Sequence, residues 1–128
     1  VDNLKVNEKE ILSLFEQWNE ALQTRIPKNV AALYEYDAIL LPTISNTVCQ
    51  SHEKIEEYFD NFLSLEPTGK IDESTVRIFG STAMNSGTCT CTFTFKSSEP
   101  IQARFTFIYR WNGEKWMIMT HHSSQMPE

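Results

Sequence analysis

Asn112-Gly113 lies between two β-like stretches, QARFTFIYRW (Gln102–Trp111) and KWMIMTHHSS (Lys115–Ser124). Asn followed by Gly takes up the left-handed backbone of a two-residue turn at little steric cost, so the pair predicts a β-hairpin. A lone hairpin is marginal in water and needs further strands and a covering layer to bury its apolar face. The upstream sequence offers both. Strands are predicted near Ile71 to Phe79 and Ala83 to Phe95, after a turn at EPTG (Glu66–Gly69) and before one at SSEP (Ser97–Pro100).

Helical patterning precedes these strands. Over residues 7 to 24, Ile11, Leu14, Phe15, Trp18, Ala21 and Leu22 form one stripe, and Asn7 with Glu10 suits a capping box. Pro27 opens a short second helix carrying Val30, Leu33 and Tyr34. AILLPT (Ala38–Thr43) reads as a short strand that Pro42 ends. Ser51 caps a third helix with Ile55, Tyr58, Phe59, Phe62 and Leu63 on its apolar side. Helices followed by a run of strands predict an α+β fold, with the helices on one face of a curved antiparallel sheet. The other sheet face, apolar in part, is expected to form a homodimer interface.

The length of 128 residues suits a single domain spanning 1–128. A net charge of −6 argues against nucleic acid as the main partner, because phosphate binding needs a basic face. No apolar run approaches the ~20 residues that a membrane span requires. Three cysteines, Cys49, Cys89 and Cys91, are too few for a disulfide scaffold and read as small core residues. The chain starts at Val1, so an N-terminal segment is expected to have been removed. A soluble, cytoplasmic protein is expected, with the plastid or periplasm as alternatives if that segment was a leader.

A two-residue turn at Asn112-Gly113 pairs Trp111 with Glu114, Tyr109 with Trp116, Phe107 with Ile118 and Phe105 with Thr120, all sharing a face with His122. The opposite face then carries Arg104, Thr106 and Ile108 with Met117, Met119, His121 and Ser123; a slip of one residue exchanges the faces. His121 and His122 point to opposite sides of a regular strand and cannot chelate one ion together. His52 is the remaining histidine, so a metal site is not expected. Hydroxyls are the remaining polar groups: Thr106 and Ser123 across the sheet, Thr43 at the end of a strand, and Tyr58 on the third helix. An apolar cavity with a few convergent hydroxyls is the usual form of a small-molecule site. No nucleophile elbow, Gly-rich phosphate loop or H-E-x-x-H motif is present.

The element order resembles the nuclear transport factor two-like cone fold, a cone-shaped α+β barrel. ARFTFIYRWNGEKWMIMTHHSS (Ala103–Ser124) is similar to the last hairpin of the branch that includes the calcium/calmodulin-dependent kinase two association domain. HHSSQMPE, with LLPT and YFDNFL (Tyr58–Leu63) upstream, resembles the iota-class carbonic anhydrases. That resemblance implies reversible hydration of carbon dioxide to bicarbonate. The family ending more often reads His-His-His-Ser-Ser; Thr120 replaces the first histidine here, which favours a metal-free member over one using manganese or zinc. Carried over by position, the resemblance implies Thr43, Tyr58 and Ser123 as catalytic residues. Thr106 is the alternative to Thr43, and Ser124 replaces Ser123 if the register is off by one.

In the mechanism so implied, carbon dioxide sits against Ile55, Phe59 and strand side chains. Thr43, Tyr58 and Ser123 orient a water and then donate hydrogen bonds to the oxygens that gain charge. His121, or a water chain past it, relays the proton. No cofactor is expected, and the partners are carbon dioxide or bicarbonate. The main alternative is a non-catalytic small-molecule-binding or oligomerisation module of the same fold. Two further alternatives are a metal-dependent hydratase using His121 or His122, and another enzyme of the superfamily built around an acid such as Asp37.

Overall fold

A computed structural model of the chain describes residues 7–43, 45–93 and 99–127. Asn7 accepts the Glu10 backbone N–H at 3.0 Å and starts α1 (Glu8–Gln23), whose Ile11, Phe15 and Leu22 are buried. Glu10 does not close the expected capping box. Its carboxylate instead accepts the Trp116 indole N–H at 3.2 Å, tying the helix start to the far end of the sheet. Pro27 opens α2 (Pro27–Ala31), as expected. Ser51 caps α3 (His52–Phe62) by accepting from the Lys54 N–H, and a short 3-10 turn, Leu63–Leu65, follows.

Five strands form one sheet: β1 (Tyr34–Leu41), β2 (Pro67–Phe79), β3 (Thr82–Phe93), β4 (Ile101–Trp111) and β5 (Trp116–Gln125). Their spatial order is β1-β5-β4-β3-β2. The sheet is mixed, which corrects the antiparallel expectation: β1 runs parallel to β5, and the remaining pairs are antiparallel. The long connection from β1 through α3 and three strands gives the crossover that parallel pairing needs. This pairing also moves Tyr34 out of the second helix, where the sequence pattern put it. Tyr34 lies opposite Ile118, whose N–H donates to the Leu33 carbonyl at 2.9 Å, so the strand begins four residues before Ala38. Arg110 of β4 holds Glu35 of β1 through two hydrogen bonds of 2.7 Å across the intervening strand.

β2 likewise starts early. Glu66 takes the left-handed turn (φ 53°), and Pro67 to Gly69 already pair with β3. Gly69 therefore serves close packing rather than the expected turn: its N–H donates to Asn19 Oδ1 at 2.9 Å, and a Cβ there would meet the Phe15 ring at 3.2 Å. The predicted end of the next strand at Phe95, and Ser97 and Ser98 of the SSEP turn, lie outside the described residues.

The hairpin between β4 and β5 differs from expectation in a way that decides the site. Asn112 Oδ1 accepts the N–H groups of Glu114 (2.8 Å) and Lys115 (2.9 Å), so the loop is Asn112–Lys115 and Trp111 pairs with Trp116. This two-residue shift preserves the faces. A bulge at Met119, between the Tyr109–Ile118 and Ile108–Thr120 pairs, adds one more residue and reverses them beyond it. His121 and Ser123 now share the buried face with Phe105 and Phe107. Thr106, His122 and Ser124 lie on the outer face.

A second bulge, at Asp72 between Ile71 and Glu73, helps bend β2 and β3 around the helices. Opposite it, a Cβ on Gly87 would sit 1.9 Å from the Glu73 carbonyl oxygen. Backbone must move to admit it, so Gly87→Ala should cost about 1–3 kcal/mol of stability in urea unfolding, while Ser86→Ala beside it should stay within about 0.5 kcal/mol of wild type.

Candidate functional site

A cavity of about 50 Å³ lies between α1, α3 and the concave sheet face. Phe15, Trp18, Phe59, Phe105 and Phe107 make most of its wall, and among the described residues no Asp, Glu, Lys or Arg lines it. The polar lining comes from Thr43, Tyr58, His121 and Ser123, with the thiols of Cys89 and Cys91. Burial pushes the Cys89 thiol up to about 11 and the Cys91 thiol up to about 12, so both stay protonated and un-nucleophilic at neutral pH.

Thr43 reaches the cavity because β1 runs alongside β5 as far as the Leu41–His122 pair, and Pro42 then turns the chain inward. Its hydroxyl donates to Ser123 Oγ. Ser123 arrives through the Met119 bulge. Tyr58, on α3, stacks its ring on Phe62 at 5.4 Å and 18°, and burial raises its phenol pKa, so it acts as a donor and not as a base near neutral pH. Phe59, on the same helix, lines the cavity.

Three sequence-expected residues fall elsewhere. Thr106 pairs with His122 on the outer face and cannot replace Thr43, because the bulge reverses the faces. Ser124 pairs with Arg104 and borders a separate, shallower groove with His122 and residues 41–43 and 45–48. Ile55 is fully buried in the core without lining the cavity.

His121 is 4% exposed and lies flat on Phe107, with ring centroids 4.0 Å apart and planes at 15°. Trp18 packs edge-on to it at 5.4 Å. Its Nδ1 lies 2.7 Å from the Tyr34 hydroxyl, and the Trp18 indole N–H donates to that same hydroxyl at 3.1 Å. Burial, helped by nearby His122, lowers the His121 pKa to about 3. The ring is therefore neutral near pH 7 and does not gain a proton in the way the expected relay needs. Sequence reasoning missed Trp18 and Tyr34, placing one in an apolar stripe and the other on a helix. The signal was available: a buried phenol or indole must find a polar partner.

His52 does not complete a metal site with the pair, since its Nε2 is bonded to the Tyr34 carbonyl at 2.8 Å. Among the described residues no three His, Cys, Asp or Glu side chains gather as a ligand set. Asp37 is exposed on β1 and does not line the cavity. Among the described residues no helix is long and apolar enough to cross a membrane.

Residues 7–127 match the family model of the calcium/calmodulin dependent protein kinase II association domain. A protein from Xanthomonas campestris, whose structure is described in the same terms, is 45% identical; the match covers 96% of this chain and 90% of that one with a TM-score of 0.92. An NTF2-like protein of unknown function from Pseudomonas putida is 22% identical over 91% of this chain and 84% of its own, with a TM-score of 0.79. A protein of unknown function with a cystatin-like fold from Nostoc punctiforme is 14% identical over 94% and 92%, also with a TM-score of 0.79. These last two likenesses establish the fold, the NTF2-like or cystatin-like cone. No curated protein matches the chain.

The depressed His121 pKa has a sign. Unfolded, the ring titrates near ~6.5; folded, near about 3. Its neutral burial is thus fully compatible with folding above ~6.5, and stability is lost as pH falls from there towards 3, at roughly 1.4 kcal/mol per pH unit. Between pH 7 and 5 the unfolding free energy of wild type should fall of order 2 kcal/mol more than that of His121→Gln, measured by urea titration.

Proposed function

Because the chain belongs to the calcium/calmodulin dependent protein kinase II association-domain family, we propose that it is a self-associating cone-fold domain whose cavity binds one very small, oxygen-bearing molecule, carbon dioxide or bicarbonate. The observation that carries this reading is the cavity: about 50 Å³, walled by aromatic rings, with no charged side chain among the described residues that line it and with Thr43, Tyr58, His121 and Ser123 as its polar lining. That volume accommodates a few water-sized groups and is far smaller than the ~300–1,000 Å³ typical of drug-sized ligands. Association-domain membership supports assembly. The half-exposed Ile108 and Met117 on the outer sheet face favour that face as the dimer contact.

A catalytic reading of the same pocket is favoured by the Thr43–Ser123 hydroxyl pair beside Tyr58, together with the resemblance of the chain's ending to iota-class carbonic anhydrases. Carbon dioxide lies against the rings. A water held by the hydroxyls attacks its carbon, one C–O π bond opens, and bicarbonate forms while the proton leaves through water to the buffer. The hydroxyls donate to the oxygens that gain charge. The neutral ring of His121 takes no part as proton carrier.

Stopped-flow carbon dioxide hydration on chelator-stripped protein tests this. Activity should survive stripping, and Ser123→Ala and Tyr58→Phe should each lower it by about tenfold to a hundredfold. Activity that disappears on stripping and returns with one added ion would reject this scheme. No turnover in either state, with bicarbonate still bound in 13C NMR titration, would leave the binding and assembly reading. In sedimentation velocity, Ile108→Asp should shift the dimer towards monomer.

A further inference from the structure

In the chain Trp18–Tyr34–His121, one arrangement of protons leaves neither the Tyr34 hydroxyl nor His121 Nδ1 without a partner among the described residues. An indole N–H can only donate, so the Tyr34 oxygen accepts from Trp18 at 3.1 Å. The Tyr34 hydroxyl and His121 Nδ1 are 2.7 Å apart, so one of them donates to the other. If Nδ1 carried the proton, the Tyr34 oxygen would accept twice and its own hydroxyl hydrogen would have no acceptor among the described residues, although Tyr34 is fully buried. If Tyr34 donates, its oxygen, its hydrogen and His121 Nδ1 are all paired, and the neutral ring carries its hydrogen on Nε2, the one nitrogen not held by Tyr34.

The ring cannot readily turn to undo this. Phe107 covers one face at 4.0 Å, Trp18 meets it edge-on, and Tyr34 holds Nδ1. His121 makes no second hydrogen bond to a described residue, and it lines the cavity. Thr43 spends its hydroxyl hydrogen on Ser123, which leaves the Ser123 hydrogen free to donate.

Resting on the small-ligand reading above, we propose that Trp18 and Tyr34 are positioning residues. They fix His121 as a neutral donor with Nε2–H turned to the cavity, so that the pocket recognises its ligand through an oxygen that accepts. Carbon dioxide, and the unprotonated oxygens of bicarbonate, meet that requirement. A ligand that must donate at this point does not.

A long-range 1H–15N spectrum of ligand-free wild type should show His121 with a protonated Nε2 and a bare Nδ1; the reverse tautomer, or an even mixture, would overturn the proposal. Bicarbonate should then shift the Nε2–H resonance. Two variants separate donation from bulk. His121→Gln, whose carbonyl can take the Tyr34 hydrogen while its amide donates to the cavity, should keep bicarbonate affinity within a few fold. His121→Leu should lose tenfold or more. Equal affinities in the two variants, or bicarbonate shifts elsewhere in the pocket but none at Nε2–H, would overturn the recognition half while leaving the function reading intact. No bicarbonate shift at any residue would sink the function reading and the recognition half together, and the ligand-free spectrum would still decide the tautomer.

Discussion

The hydrogen bond between Tyr34 and His121, 2.7 Å long and shielded from water, joins α1, β1 and β5 through three side chains that must satisfy one another. A buried polar group without a partner is costly, and these three remove that cost jointly. For the bond to form, β1 must begin at Tyr34 and run parallel to β5, and β5 must carry an extra residue at Met119 so that Ile118 and His121 both face inward. The same two conditions bring Thr43 and Ser123 together at the cavity. Sheet register and pocket chemistry are therefore consequences of one packing solution.

The pocket that results is a nearly apolar space with several hydrogen-bond donors and, among the described residues, no counter-charge. Such a site suits neutral carbon dioxide better than the bicarbonate anion, which it can hold only through donated hydrogen bonds, because a buried charge without a partner is heavily penalised. His121 fits that environment as a neutral ring. Its role is fixed by what surrounds it, and the adjacent His122, half-buried on the outer face, is in a different chemical situation despite being one residue away. Family membership adds an assembling fold to this picture, and fold alone does not assign the chemistry.

Much of the architecture was legible in the residues. The stripe at Ile11, Phe15 and Leu22, the caps at Asn7 and Ser51, and Pro27 at a helix start all act locally, within one or two turns of helix, and each has the predicted effect. Thr43, Tyr58, Phe59, His121 and Ser123 do meet around one cavity. Thr106, Ser124 and Ile55 do not line it. Thr106 was put on the face of Ser123 because the bulge that separates them leaves no reliable mark in the sequence, and Ser124 stood only as the substitute for Ser123.

The sequence by itself determined the helix starts, the presence of a closing hairpin, the α+β order and the absence of any charge run suited to nucleic acid, because these depend on local backbone preference and on composition. Tertiary structure decided the parallel docking of β1, the face on which each histidine lies and the partner of each buried hydroxyl. Strand alternation has a period of two, so one inserted residue reverses every side chain beyond it, and only the packed sheet records where that residue sits.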